Sequence, residues 1–149
     1  MQAVIFIGLQ AAGKSTFYRE LFFATHVRIS LDMLKTRHRE RRFLEMCLET
    51  KQPFVVDNTN TTRTERHVYI EGARQAGFRV VGYYFQSKVE DCKRRNEGRP
   101  EAERIPVKGI LGAAGRMELP GREEGFDKLY YVRIDENSHF VVEEWQDEV

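Results

Sequence analysis

The sequence predicts an α/β fold, an open and mostly parallel sheet with helices on both faces. Two observations carry this. Short apolar runs rich in β-branched and aromatic residues alternate with segments whose apolar residues recur every three to four positions. That alternation, at this spacing, is the signature of βαβ units. The length of 149 residues suits one domain with a real core and not two. Residues 1–149 are therefore expected to form a single domain.

Ala3 to Ile7 is a β-rich run ending at Gly8 and reads as a buried strand. Lys14 to Ala24 follows as a helix, with Phe17, Leu21 and Ala24 on its apolar face. Val27 to Ser30 is a second short strand, and about Asp32 to Thr50 reads as one long basic helix. Pro53 leads into a third strand, Phe54 to Asp57. Thr62-Arg63-Thr64-Glu65 fits a capping box, in which hydroxyl and carboxylate satisfy each other's free backbone N–H groups. Gly77 supplies the left-handed stop of that helix. Phe78 to Phe85 is a fourth strand and Val89 to Asn96 a helix. Glu97 to Pro106 is polar and turn-rich, and Val107 to Met117 is helical despite its glycines. Leu129 to Ile134 and His139 to Trp145 close the chain as two strands around the turn from Asp135 to Ser138.

Composition narrows the function. The 24 basic and 23 acidic residues nearly cancel, which excludes a bulk polyanion binder and leaves a local phosphate-binding face open. Lys35, Arg37, Arg39, Arg41 and Arg42 crowd one segment against Glu40 alone; that run is either such a face or a solvated helix. Glu143 to Glu148 carries four acids and no base. The longest apolar stretch, Ala3 to Leu9, is far short of the ~20 residues of a membrane span, and no secretory leader is read. Cys47 and Cys92 are too far apart for a redox pair or a metal knuckle. Free thiols point to a reducing compartment, so a cytoplasmic location is expected.

Gly8-Leu9-Gln10-Ala11-Ala12-Gly13-Lys14-Ser15 matches G-x-x-x-x-G-K-[ST] in full, between a strand and an amphipathic helix. Glycines let the backbone turn tightly, so that successive N–H groups point into a concave anion site. The helix that starts near Lys14 adds its positive end. Lys14 is expected to reach the β- and γ-phosphates and the Ser15 hydroxyl to ligate Mg²⁺. The expected nucleotide-binding set is Gly8, Gln10, Ala11, Ala12, Gly13, Lys14, Ser15 and Thr16, with ATP and Mg²⁺ as the implied ligands.

In a doubly wound sheet ligands sit beyond the carboxyl ends of the strands, which brings Asp32 and Asp57 toward the nucleotide. Asp32 is the candidate base for an attacking hydroxyl, and an N-cap is its other reading. Asp57 is the candidate carboxylate behind Mg²⁺, acting through water; capping the Asn58-Thr59-Asn60 turn is its other reading. Arg94, Arg95, Arg99 and Arg104 lie in a turn-rich stretch with few apolar anchors. Such a stretch is either a closing lid that neutralises a γ-phosphate or a set of solvated arginines.

The loop, Ser30-Leu31-Asp32, the segment VVDNTNTTRTER and the stretch RRNEGRPEAERIP together resemble the 5′-hydroxyl polynucleotide kinase family. Leu119-Pro120, Glu124 to Asp127 and Tyr131-Val132 are also similar to that family, so the resemblance extends over nearly the whole chain. It implies a P-loop NTPase three-layer αβα sandwich: a five-stranded, mostly parallel sheet in the order 2-3-1-4-5, with an arginine-bearing lid at about 94–106. It implies transfer of phosphate from ATP to the 5′-hydroxyl of a DNA or RNA end, with Lys14, Asp32 and Arg99 catalytic. Asp57 and Thr59 fall on the acceptor side, and Arg95 and Arg99 on the donor phosphates. Lys35 stands where the family pattern has an arginine on the acceptor's phosphate; it keeps the charge and loses the bidentate fork. The basic segment has no interleaved aromatics for base stacking, so contact there is to phosphate and insensitive to sequence. Two other functions stay open, a P-loop kinase of a small metabolite or nucleotide and an ATP-binding switch or interaction module. Neither a membrane nor an obligate protein partner is implied.

Overall fold

Runs that are apolar on both faces become the inner strands of a computed structural model describing residues 1–147. The strands are β1 (Gln2–Ile7), β2 (Val27–Ile29), β3 (Phe54–Val56), β4 (Arg79–Phe85), β5 (Lys128–Ile134) and β6 (Phe140–Glu144). The helices are α1 (Lys14–Leu21), α2 (Leu31–Leu34), α3 (Arg37–Thr50), α4 (Arg63–Gln75), α5 (Val89–Glu97) and α6 (Val107–Arg116). The sheet runs β2-β3-β1-β4-β5-β6. Its first five strands are parallel and keep the expected order, while β6 is antiparallel to β5. The sheet thus has six strands rather than five, because the closing pair folds as a hairpin. Asp135 makes the reversal: its Oδ1 accepts from the backbone N–H groups of Asn137 and His139, both at 2.9 Å. Glu148, the last acid of the C-terminal run, lies outside the described residues.

Alternation along β1 divides the core. Ala3, Ile5 and Ile7 pack with Leu44, Tyr69, Ile70 and Ala73 under α3 and α4. Val4 and Phe6 pack with Phe17, Phe22, Phe85 and Ile110 under α1, α5 and α6. This is the three-layer sandwich.

Two helices differ from the sequence reading. The long basic helix is broken: Lys35 takes a left-handed φ of 74°, and the Thr36 hydroxyl accepts from the Arg39 N–H at 3.1 Å to start α3 anew. Helix α1 stops at Leu21, whose side chain is exposed. Its buried face is Phe17 and Tyr18, followed by Phe22, because Phe22 meets Phe6 edge-on and Phe17 at a tilt and offers more apolar area than Leu21. At α4 the Thr62 hydroxyl accepts from the Glu65 N–H at 3.2 Å, which is half of the expected box. Gly77 ends that helix at φ 81° as expected. The paired bonds from Gly77 N–H to Arg74 and from Phe78 N–H to Ala73 close a Schellman turn.

One buried ion pair ties α4 to the segment before β5. Arg66 is 0% exposed; its Nε and Nη2 reach the two carboxylate oxygens of Glu124 at 2.9 and 3.2 Å, and its Nη1 reaches the Asn60 carbonyl at 2.8 Å. Removing one partner strands a buried charge. Arg66→Ala is expected to lower unfolding stability by about 3–5 kcal/mol in urea titration, and the apolar pair Arg66→Met with Glu124→Leu by far less.

Candidate active site

The carboxyl ends of β1, β2 and β3 deliver the phosphate loop, Asp32 and Asp57 to one edge of the sheet. Gly8 leaves β1 where an added Cβ would lie 2.9 Å from the Cβ of Phe85 on β4, so only glycine lets the loop rise there. Gly13 has φ 100° and Ala11 φ 63°, which turn the loop's N–H groups inward. Gly13 also lies under the β5–β6 hairpin, where a Cβ would meet Ile134 and Phe140 at 3.1 Å.

The loop is anchored from outside itself. Gly8 N–H donates to the Thr59 carbonyl at 3.1 Å, and Leu9 N–H to the Ser87 hydroxyl at 3.0 Å. Asn60 Nδ2 donates to the Phe6 carbonyl at 2.7 Å. Lys14 folds back over the loop, donating to the carbonyls of Gly8 at 2.9 Å and Leu9 at 2.6 Å. Burial brings its ammonium down to about 8, opposed most strongly by the charge of Asp57.

Ser15 lies in the first turn of α1, beside β3. Its hydroxyl donates to Asp57 Oδ2 at 2.9 Å, and Arg28 on β2 joins both: Nε donates to the same carboxylate oxygen at 2.9 Å and Nη2 to the Ser15 hydroxyl at 3.0 Å. Asp57 therefore bonds Ser15 and Arg28 rather than capping its own turn. These are oxygen donors of the hard-cation type. Among the described residues no group of three or more His, Cys, Asp or Glu side chains converges. The chain thus offers a hydroxyl and a carboxylate, the donor set of an ion that draws its remaining ligands from phosphate and water.

Asp32 is not the helix cap. Ser30 holds that position, and Asp32 sits in the first turn of α2, where its carboxylate has no hydrogen bond or ion pair among the described residues. It lines an inner cleft of about 70 Å³ with Lys14, Ser15, Asp57, Thr59 and Arg99. Gln10 and Asn58 also face this cleft. A wider chamber of about 340 Å³ opens on the other side of the loop, bounded by Gly13, Thr16, Arg95, Arg99 and Phe140. Ala11 and Arg99 border both, and the backbone of Ala12 closes a turn onto Leu9 within the loop.

The lid is smaller than the sequence suggests. Arg94 lies in α5 and pairs with Asp91 at 2.8 Å on the surface, and Arg104 braces the lid by donating to the Arg99 carbonyl at 2.8 Å. Arg95 and Arg99 face the loop, Arg95 reaching the Ala11 carbonyl at 3.3 Å. The neck is clamped by Asn96, which donates to the Ile105 carbonyl at 2.7 Å and accepts its N–H at 2.8 Å. Lys35 stands apart, exposed at the α2–α3 break and outside the cleft lining.

Sequence reasoning missed Arg28, Ser87 and Asn96. A basic residue inside a three-residue strand was the available signal for Arg28, and the R-N-x-x-R spacing for Asn96. Ser87 left none.

Comparison with known proteins bears on the family and the fold. The family profile described as AAA domain matches residues 4–120. A bifunctional polynucleotide phosphatase/kinase of Schizosaccharomyces pombe is 26% identical over 135 residues, which cover 88% of this chain and 33% of that protein. The chain thus spans about a third of this relative's length. Kti12 of Chaetomium thermophilum, solved in complex with ADP-AlF3, superposes with a TM-score of 0.72 at 17% identity, over 91% of this chain and 92% of that one. A sugar kinase from Janibacter sp. HTCC2649 gives 0.66 at 15% identity, over 89% and 85%. These likenesses are of fold.

The burial of Lys14 is directly measurable. Its ammonium should titrate near pH 8 by NMR in the free protein, and lower still in Asp57→Asn, which removes the strongest opposing charge. A titration near the ordinary 10.5 contradicts the closed loop.

Proposed function

The chain belongs to the AAA domain family of P-loop proteins and has a kinase-like fold, and from that premise we propose that it transfers the γ-phosphate of ATP to a hydroxyl, the 5′-hydroxyl of a DNA or RNA end. The observation that carries this reading is one cleft in which a lysine, a serine, an arginine and a carboxylate without a partner among the described residues converge. The stretch of 135 residues shared with the polynucleotide phosphatase/kinase supports the choice of acceptor.

The phosphates of ATP lie along the loop from Gly8 to Ser15, and the nucleoside occupies the wider chamber against Thr16 and Arg95. Lys14 leaves the carbonyls of Gly8 and Leu9 for the β- and γ-phosphates. Ser15 would hold Mg²⁺ directly and Asp57 through water, and the ion would supply positive charge against that of the phosphates. Asp32 accepts the proton of the acceptor hydroxyl as its oxygen forms a bond to the γ-phosphorus. The bond to the β–γ bridging oxygen breaks, and ADP leaves with that electron pair. Arg99 lies over the transferring group and stabilises its charge, while the lid excludes water. Thr59 and Asp57 bound the acceptor side. Lys35 reaches the acceptor's phosphate only from the rim, through a flexible side chain.

The test is incubation with Mg²⁺, γ-labelled ATP and a 5′-hydroxyl oligonucleotide. Label is expected on the oligonucleotide, with Asp32→Ala lowering kcat about 10²- to 10⁴-fold while ATP affinity holds. Lys14→Ala should lose ATP affinity itself. Raised salt should weaken the oligonucleotide and leave ATP turnover chemistry intact. ATP consumed without labelling of the oligonucleotide points to a small hydroxylated acceptor; ATP bound with no turnover points to a switch.

Lys14 also sets a pH dependence. Phosphate needs the charged ammonium, which the free protein loses as pH rises through about 8. ATP affinity is therefore expected to fall above that pH, and binding near it to take up a proton, read by calorimetry in buffers of different ionisation enthalpy.

A further inference from the structure

Glu40 is a carboxylate that the reaction does not use, and it is only 4% exposed. It sits on α3, outside the cleft. One oxygen accepts from the Tyr69 hydroxyl at 2.7 Å and from Arg37 Nη1 at 3.1 Å, and the other from Asn58 Nδ2 at 2.7 Å. Burial and the bond to Glu40 push the Tyr69 hydroxyl far above its ordinary range, so it remains a donor. Arg37 is mostly solvent-facing and is itself shared with the Tyr69 hydroxyl at 3.2 Å. Taking a carboxylate out of water is costly, and an apolar residue at such a place is often as stable or more so.

Asn58 gives the buried charge a use. Its Oδ1 accepts the N–H of Leu31 at 2.9 Å. That N–H opens α2, one residue before Asp32. The usual alternative is missing: Ser30 caps α2 without a side-chain cap bond, and its buried hydroxyl has no partner among the described residues. An amide can rotate to exchange its oxygen and nitrogen, but a carboxylate only accepts. Glu40 therefore demands Nδ2 and leaves Oδ1 for Leu31. In the rotated amide, two donors would face each other at the start of the helix and two acceptors at Glu40.

We infer that Glu40 is a positioning residue, acting through Asn58 and the Leu31 N–H to aim Asp32 into the cleft. This rests on Asp32 being the base, as proposed above. The link Glu40–Asn58–Leu31 is separate from Asp57, which bonds Ser15 and Arg28.

The test compares wild type with Glu40→Gln, Asn58→Ala and the double variant. Glutamine keeps the shape but cannot accept on both sides. Hydrogen exchange of the Leu31 amide is expected to quicken in every variant, while the amides of β1 and β4 keep their protection. The label-transfer assay should show kcat lower by about 10- to 100-fold, with ATP affinity within about twofold. The double variant should be no worse than Asn58→Ala, because both act on one link. Tyr69→Phe, which spares the Asn58 arm, should transfer near the wild-type rate. Glu40→Leu fills the site without charge and repeats the test if glutamine impairs folding.

Unchanged Leu31 exchange in Glu40→Leu, which offers Asn58 no acceptor at all, overturns the inference. So does a double-variant loss equal to the product of the two single ones. If wild type itself labels no oligonucleotide, the acceptor reading has failed, and the positioning link is then judged on Leu31 exchange alone.

Discussion

Four consecutive residues after β3 hold the site together. Asp57 takes Ser15 and Arg28; Asn58 takes Leu31 and Glu40; the Thr59 carbonyl takes the Gly8 N–H; Asn60 takes the Phe6 carbonyl and gives its own carbonyl to Arg66. Through these bonds one turn fixes the start of the phosphate loop, the end of β1, the start of α2 and the buried side of α4. Asn60 adopts φ 46°, a left-handed conformation that asparagine tolerates better than most residues. Backbone groups that would otherwise be orphaned where strands end are paired here by side-chain amides, at positions where a helix or sheet bond is unavailable.

The electrostatics of the cleft follow from the same turn. Lys14 is held dry against two carbonyls, at a cost in its affinity for a proton, and Asp57 is the charge that most offsets that cost. Asp57 in turn is shielded by Arg28, with its side chain 2% exposed and that of Arg28 27% exposed. Asp32 is the carboxylate of the cleft left without a partner among the described residues. Two carboxylates at neighbouring strand ends thus have different jobs set by their surroundings. One is committed to Ser15 and Arg28, and the other has no such partner among the described residues, which is why the proposed function makes it the base.

Much of this was legible in the sequence where the physics is local. The phosphate loop is backbone chemistry written by glycines, and the inner strands are continuous apolar runs. The Gly77 stop and the hairpin turn at Asp135 follow from φ preferences and short side-chain bonds. The sites of Asp32 and Asp57 followed from topology, since both leave carboxyl ends of parallel strands. What escaped depends on partners far away in the chain. Arg28 meets Asp57 across 29 residues, Ser87 meets Leu9 across 78, and Asn58 meets Glu40 across 18; no spacing rule encodes those pairs. Thr36 was a readable cap hidden in a run of charges. The choice of Phe22 over Leu21 was a matter of tertiary packing. Arg94 carried the right charge for a lid but lies on the solvent side of α5.

Under the proposed function, the turn from Asp57 to Asn60 presents Asp32 to an acceptor hydroxyl aligned with the phosphate loop. The most direct measurement is a crystal structure with ADP, aluminium fluoride, Mg²⁺ and a short 5′-hydroxyl oligonucleotide. The 5′-oxygen is expected within about 3 Å of an Asp32 carboxylate oxygen, opposite the leaving oxygen, with the Asn58–Leu31 bond intact. A terminal hydroxyl seated away from Asp32, or a turn rearranged to admit it, would rule out Asp32 as the base.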